Sequence, residues 1–107
     1  MRNYSVIVTK AAADDAIEII RYISDYLKNR KAAERHLELY LDTLNSLKEM
    51  PGIYGISTME GLYERGIRLA PFGNFDIAFT LDEQNSTVTV LRVLYAMSDL
   101  SSKFKDK

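Results

Sequence analysis

The sequence predicts an α+β domain in which a pair of helices packs on one face of an antiparallel sheet. Three observations support this class. A short alternating, β-branched segment opens the chain, two amphipathic helical segments follow, and three alternating segments lie after residue 66. The predicted order is therefore β-α-α-β-β-β. Because 107 residues suffice for one compact core and not for two, we expect residues 1–107 to form a single domain.

The first half of the chain predicts one strand and two helices. Residues 4–9 alternate around β-branched side chains, and Thr9 is suited to cap a first helix over roughly residues 11–28. Asn29 is suited to cap a second helix, which ends before Pro51 because proline cannot continue a helix. Apolar residues recur along both segments at three- and four-residue intervals, so the two helices are expected to form a hairpin.

The second half predicts a three-stranded meander. Residues 67–70 and 75–81 alternate on either side of Gly73-Asn74, a pair typical of tight hairpins. A polar turn over residues 82–86 leads to a long apolar strand at 87–95, which we expect to be central and buried on both sides. Ser98-Asp99 is suited to cap a short last helix, and residues 103–107 form a basic tail that is expected to fray.

Composition excludes several classes of site. The chain has no cysteine and one histidine, so disulfides, thiolate zinc sites and multi-histidine metal sites are impossible. We find no cofactor-binding motif, no apolar stretch of membrane-spanning length and no signal peptide, and therefore expect a cytoplasmic protein without a cofactor or a resident metal. The net charge of −1 gives no general attraction to nucleic acid, so any such contact needs a local basic patch.

Arginines on the predicted strands are the strongest candidates for such a patch. If Leu69 and Leu91 face the helices, alternation places Arg68 and Arg92 together on the uncovered face, where Arg65 can join them. Three guanidinium groups there would form a phosphate or anion site.

A plainer interpretation stays open beside it. Arg92 could instead pair with Asp76 or Glu83 while Arg68 is merely solvated. The adjacent Asp14 and Asp15 are expected to be helix-start charges, and His36 is expected to be a surface or boundary residue.

Two motifs and their order resemble the ParE/RelE toxin superfamily, and the resemblance covers nearly the whole chain. The family typically reads Arg-x-Leu-Pro-x-Gly-Asn-Tyr, then a strand ending in Arg-Val-Leu-His and a following Arg-Asp. This chain departs from it in having Tyr95 at the histidine position and Ser98 at the arginine of Arg-Asp. The matching segments here are Arg68-Leu69-Ala70-Pro71-Phe72-Gly73-Asn74-Phe75, Thr89-Val90-Leu91-Arg92-Val93-Leu94-Tyr95 and Ser98-Asp99.

The resemblance implies the toxin of a bacterial type II toxin–antitoxin system, held inactive by a cognate antitoxin in a heteromeric complex. ParE-like members inhibit DNA gyrase without a hydrolytic site. RelE-like members are ribosome-dependent endoribonucleases that cut mRNA. The two departures and the low pI favour the ParE-like, non-enzymatic interpretation. A non-toxic binding module that retains the fold is a third alternative.

The resemblance also implies the residues involved. In a RelE-like enzyme the catalytic candidates are Arg65, Arg68, Arg92 and Tyr95, and the same four residues with Asp99 are the candidates for binding a target or an anion. Antitoxins of this family generally dock as a helix and a strand, so the helical hairpin and an exposed sheet edge are the expected receiving surfaces. The antitoxin-binding candidates are Ile17, Ile20, Tyr40 and Leu44.

Overall fold

A computed structural model describes residues 3–96, and these form two helices and a four-stranded sheet. The predicted order β-α-α-β-β-β is confirmed for these residues. The predicted last helix at Ser98-Asp99 and the basic tail at 103–107 lie outside the described residues. The elements are β1 (Ser5–Val8), α1 (Lys10–Arg21) continued by a π-helical turn (Tyr22–Tyr26), α2 (Arg30–Glu49), β2 (Arg68–Phe72), β3 (Phe75–Asp82) and β4 (Thr87–Tyr95).

The sheet has the strand order β1-β4-β3-β2 and is mixed. β2, β3 and β4 form the predicted antiparallel meander, whereas β1 pairs with β4 in parallel, with Ser5 opposite Thr87. The prediction of a wholly antiparallel sheet is therefore wrong at β1. Parallel neighbouring strands need a long crossover connection. Here the connection from β1 to β4 contains the helical hairpin, β2 and β3.

Both helices begin at the predicted caps. The hydroxyl of Thr9 accepts a hydrogen bond from the Ala12 amide at 3.1 Å, and the side-chain oxygen of Asn29 accepts one from the Ala32 amide at 3.0 Å. α1 is shorter than the predicted span of 11–28, because its last part widens into the π-helical turn and Lys28 then adopts a φ of 53°. α2 ends at Glu49, two residues before Pro51, as the proline predicts.

The main core lies between the helices and the sheet. Leu47 of α2 and Phe79 of β3 are completely buried in it. A second, smaller cluster lies on the opposite face of the sheet, where Leu62 of the 56–67 segment packs with Ala78 and Leu94. β4 contributes to both clusters, which confirms that it is central and buried on both sides.

The connections follow from local chemistry. Gly73 turns the chain from β2 into β3 with a φ of 59°, a conformation that glycine adopts without strain. None of the helices within residues 3–96 combines the length and the apolar character that crossing a membrane would require.

Candidate functional site

An ion pair between α1 and β4 is the most strongly bonded polar feature of the described chain. The Arg92 guanidinium donates from Nε and Nη2 to the two carboxylate oxygens of Asp15, at 2.7 and 2.9 Å. The Asp15 side chain is 14% exposed and that of Arg92 is 26% exposed. The hydrogen bonds to Asp15 raise the pKa of Arg92 above its ordinary value, so this guanidinium stays charged and bound to Asp15.

The position of Asp15 is explained by an irregularity in β4. Ala78 pairs with Arg92 and Phe79 pairs with Val90, so Leu91 is an extra residue that forms a β-bulge. β1 has ended by this point, because its last residue Val8 is opposite Val90. Within residues 3–96 the edge of β4 beyond Val90 therefore has no strand partner, and the Asp15 carboxylate accepts a hydrogen bond from the Val93 amide there at 3.0 Å.

The predicted grouping of arginines on the uncovered face is wrong. Leu69 and Leu91 pack with the cluster on the face opposite the helices, so the condition for that grouping is not met. Arg92 instead binds Asp15 of α1, because the faces of β4 are the reverse of those that the prediction assumed: Val90 packs in the main core and Leu91 on the opposite face. The partner is also neither Asp76 nor Glu83, the two acids of the plainer interpretation.

Arg68 and Arg65 occupy separate positions. The Arg68 guanidinium donates to the carbonyl oxygen of Tyr54 at 2.7 Å and is partly buried, so it is not merely solvated. It lies on β2, and β3 separates that strand from Arg92 on β4. Arg65 is exposed at the end of a short 3₁₀ turn in the 56–67 segment. Asp99, the fifth candidate for target or anion binding, lies outside the described residues.

Tyr95, in contrast, lies in a concavity that we call the aromatic groove. Its volume is about 720 Å³, and it runs between the C-terminal end of α1, the start of α2 and the β2–β3 turn. The Tyr95 ring is 49% exposed and meets the Phe75 ring edge-on, with centroids 5.8 Å apart. The groove is lined by Asp15, Glu18, Ile19, Tyr22, Ile23, Leu27, Asn29, Ala32, His36, Asn74, Phe75 and Tyr95.

His36 is a boundary residue of this groove, as the sequence predicts. Its Nδ1 lies 2.8 Å from the carbonyl oxygen of Ala32, one turn earlier in α2, and its ring meets Phe75 edge-on. A methyl group placed on Gly73 would lie 3.3 Å from Nε2. These contacts show that the imidazole packs α2 against the β2–β3 turn.

A second groove lies between α1 and α2 and is named here the interhelical groove. Three of the four antitoxin-binding candidates, Ile17, Ile20 and Tyr40, line it, and its volume is about 350 Å³. Ile17 is 49% exposed, whereas Tyr40 is 8% exposed and closes the floor. The fourth candidate, Leu44, is instead partly buried against the main core.

Across residues 3–96 no group of three or more histidine, cysteine, aspartate or glutamate residues is arranged to hold a metal ion. The titratable groups with displaced pKa values are also scattered. Burial raises the pKa of the Asp76 carboxyl on the smaller cluster's face, and burial together with the charge of Asp15 raises the pKa of the Tyr40 phenol. Tyr40 lies in the interhelical groove and Asp76 on β3, so the two groups are in different parts of the fold.

Comparison with known proteins decides the family. The family model described as the ParE toxin of the type II toxin–antitoxin system parDE matches residues 6–100. The chain belongs to this family. The resemblance noted on the strand motifs is thereby confirmed, and the motif segments with both departures lie within the matched range. No curated protein sequence matches the chain.

Solved structures share the fold of this ParE-family chain. The RelBE2 toxin–antitoxin complex from Mycobacterium tuberculosis contains a chain that is 20% identical, with a TM-score of 0.60 over 87% of this chain and 98% of that one. The chromosomal ParDE toxin–antitoxin system from P. aeruginosa contains one that is 17% identical, with a TM-score of 0.67 over 86% and 95% of the two chains. At these identities the likeness establishes the fold.

Asp15 is the residue that sequence reasoning missed. It was interpreted as a helix-start charge, yet it is the partner of Arg92 and of the β4 backbone. A signal was present: Asp15 follows the buried Ala12 by three residues and precedes Ile19 by four, so it lies on the core-facing stripe of α1. A carboxylate on such a stripe needs a buried partner.

Proposed function

We propose that this chain is a ParE-like toxin that inhibits DNA gyrase and is neutralised by a cognate antitoxin. The observation that carries the proposal is the state of Arg92. Cleavage of RNA needs free cations to stabilise the charge that develops on the phosphate, together with a base for the 2′-hydroxyl. Arg92 already donates two hydrogen bonds to Asp15. Arg68 lies on β2, separated from Arg92 by β3, and donates to the backbone carbonyl of Tyr54. This arrangement favours a protein target over a phosphodiester substrate.

Gyrase inhibition is tested with the purified chain and purified gyrase. We expect the chain to suppress ATP-dependent supercoiling of a relaxed plasmid, and we expect added antitoxin to restore it. Because Arg92 has a structural role in this proposal, a substitution that keeps the fold should leave inhibition intact. Full supercoiling at a large excess of folded chain would refute the proposal.

The RelE-like alternative is tested on the same preparation with programmed ribosomes and primer extension on the bound mRNA. The half-exposed Tyr95 is the observation that favours this alternative, since a phenol at the groove can stack on a base or donate a proton. Codon-specific cleavage that is lost in Tyr95→Phe would establish the endoribonuclease. Arrest of neither process in cells that express the chain alone would favour the non-toxic module.

The interhelical groove is the proposed site for the helical part of the antitoxin. Ile17 on α1 is 49% exposed, and Leu37 and Leu41 on α2 are 42% and 53% exposed, so the hairpin presents an uncovered apolar strip. An amphipathic helix buries such a strip with its own apolar face. We expect Ile17→Lys to weaken the complex by about tenfold or more, because a charge would enter an apolar contact.

The matched control for that test is Met50→Lys. Met50 is 55% exposed just after α2 and lines neither groove, so the same charge is added away from the proposed interface. An equal loss of affinity in both variants would contradict the assignment of the interhelical groove. Circular dichroism of each variant excludes unfolding as the cause.

The edge of β1 is the proposed site for an antitoxin strand. The Ser5 and Thr9 amides donate to the carbonyl oxygens of Ser86 and Val90, toward β4. The intervening amides of Val6 and Val8 therefore point to the outer side of β1. Neither proline, charge nor bulge interrupts β1, and no other strand of residues 3–96 pairs with its outer edge, which suits it to an added strand.

The other edge is less suitable. Ile56 bridges Arg68 on β2, the Ser57 amide donates to Ile67 at 2.8 Å, and Pro71 has no amide hydrogen to offer.

A proline tests the β1 edge without disturbing the β1–β4 ladder. Val6→Pro removes an amide hydrogen that points outward, whereas Val6→Ala keeps it and removes a similar part of the side-chain packing. We expect Val6→Pro to weaken antitoxin binding about five- to tenfold relative to Val6→Ala, the effect of losing one main-chain hydrogen bond. Equal affinities for two folded variants would place the antitoxin strand elsewhere.

A further inference from the structure

The aromatic groove has the size and the apolar lining of a ligand-binding site. Its volume of about 720 Å³ falls within the range of roughly 300–1,000 Å³ that is typical of binding clefts. Tyr22, Leu27 and Tyr95 are 53%, 54% and 49% exposed, so large apolar surfaces meet solvent there. The Tyr22 ring also stacks on Tyr26, with centroids 5.0 Å apart, which holds Tyr22 at the groove wall. The π-helical turn that carries both tyrosines is a local feature often found at functional sites.

The charge of the groove has one sign. Among its lining residues in the described chain there are two acids, Asp15 and Glu18, and neither lysine nor arginine. The charge of Asp15 is balanced by Arg92, which lies behind it on β4. Glu18 is exposed, and its charge adds to that of Asp15 in raising the pKa of Arg92. Two carboxylates thus share one guanidinium, so the groove combines the π faces of tyrosines with a net negative charge.

The remaining polar groups are few. His36 directs Nδ1 to the carbonyl oxygen of Ala32, and the carbonyl oxygen of Asn74 already accepts the Ala96 amide at 2.9 Å. The side-chain amides of Asn29 and Asn74 also line the groove, but the Asn29 oxygen already accepts the Ala32 amide as the cap of α2. A ligand would be recognised here mainly by ring faces and by the Glu18 carboxylate.

We propose that the aromatic groove binds a lysine or arginine side chain of the cognate antitoxin, held by Glu18 and by the faces of Tyr22 and Tyr95. The proposal rests on the antitoxin-bound toxin proposed above. A cation over a tyrosine face is attracted by the ring quadrupole, and a nearby carboxylate adds to that attraction. A nucleic-acid phosphate would meet the net negative charge of Asp15 and Glu18 instead, so the charge disfavours a nucleic acid.

The antitoxin is the favoured source because the two grooves share α1. Ile17 and Ile20 line the interhelical groove, while Ile19 and Tyr22 line the aromatic groove. A segment that leaves the interhelical groove at Arg21 needs only to pass around the C-terminal end of α1 to reach Tyr22. One continuous partner segment can therefore occupy both grooves.

The experiment measures the affinity of the full chain for its purified antitoxin at low and high salt. We expect Glu18→Lys to weaken the complex about tenfold at low salt, with a smaller loss at high salt because ions screen the exposed charge. Tyr22→Ala is expected to weaken it about fivefold at both salt concentrations. The control Glu60→Lys makes the same charge change on the 56–67 segment, across the sheet from the helices, and should change the affinity less than twofold.

A charge exchange identifies the cation. Each lysine or arginine of the antitoxin is replaced in turn by glutamate, and one such variant should bind Glu18→Lys better than it binds the wild-type chain.

The outcomes separate the two proposals. If the wild-type chain binds the antitoxin and Glu18→Lys and Tyr22→Ala bind it equally well, the groove proposal is overturned while the toxin proposal stands. If the wild-type chain binds no antitoxin, both fail. If Glu18→Lys instead gains affinity for a short RNA with the antitoxin complex unchanged, the groove is a nucleic-acid site and the proposal is wrong.

Discussion

Removal of the Asp15 carboxylate should destabilise the protein by about 2–3 kcal/mol. Asp15→Ala deletes two charge-assisted hydrogen bonds to Arg92 and one from the Val93 amide. Loss of one partner of a fully buried ion pair costs roughly 3–5 kcal/mol. Here the exposures of 14% and 26% let water reach the guanidinium after the change, which lowers that figure. We expect the midpoint of urea unfolding, followed by circular dichroism, to fall while the slope stays constant.

The neighbouring residue supplies the control. Asp14 is bonded to Lys10 at 2.8 Å, but the two side chains are 54% and 90% exposed, so Asp14→Ala should change stability by only about 0.5 kcal/mol. Both substitutions place alanine in the same helix, so any gain in helix propensity is common to them. If the free energies of unfolding of the two variants differ by less than about 1 kcal/mol, Asp15 does not stabilise the packing of α1 on β4 as the distances indicate.

Three further predictions concern the fold. Gly73→Ala should destabilise by about 1–3 kcal/mol in thermal unfolding, because its φ is positive and the new methyl group would crowd His36, whereas Gly55→Ala, with open space around it, should be nearly neutral. Asp76→Asn should raise stability at neutral pH: burial raises the pKa of this carboxyl, so its charged form is penalised above that pKa, and the advantage of asparagine should vanish once acid protonates the wild-type group. Leu62→Ala should cost about 2–5 kcal/mol by calorimetry, because Leu62 is completely buried; a cost near zero would mean that the 56–67 segment does not stabilise the sheet.

The elements of the fold could be predicted from the sequence because each carries a local signal. The caps at Thr9 and Asn29, the stop at Pro51 and the turn at Gly73 were all predicted and all confirmed. The direction of β1 could not be predicted, because alternation gives the faces of a strand and says nothing about its neighbour. The π-helical turn was missed because Ile20, Ile23 and Leu27 recur at intervals of three and four residues, which a continuous α-helix would show as well.

The candidate site was harder to predict than the fold. Both faces of β4 carry apolar residues, so the sequence does not show which face is turned to the helices, and Leu91 packs on the opposite one. No local pattern in β4 marks the bulge at Leu91. Helical spacing brings Ile17, Ile20 and Tyr40 together in the interhelical groove, and their role in binding the antitoxin stays a prediction. Leu44, the fourth candidate, is partly buried against the main core, because α2 contacts the sheet as well as α1.

The parallel pairing of β1 with β4 bears on when the protein can work. β1 is made first during synthesis, but its only partner strand in the described sheet, β4, is translated after both helices and the rest of the meander. A nascent chain thus lacks the finished sheet until its last strand has left the ribosome. The β1 edge proposed for the antitoxin strand would therefore be completed late in synthesis, after the helical hairpin proposed for the antitoxin helix.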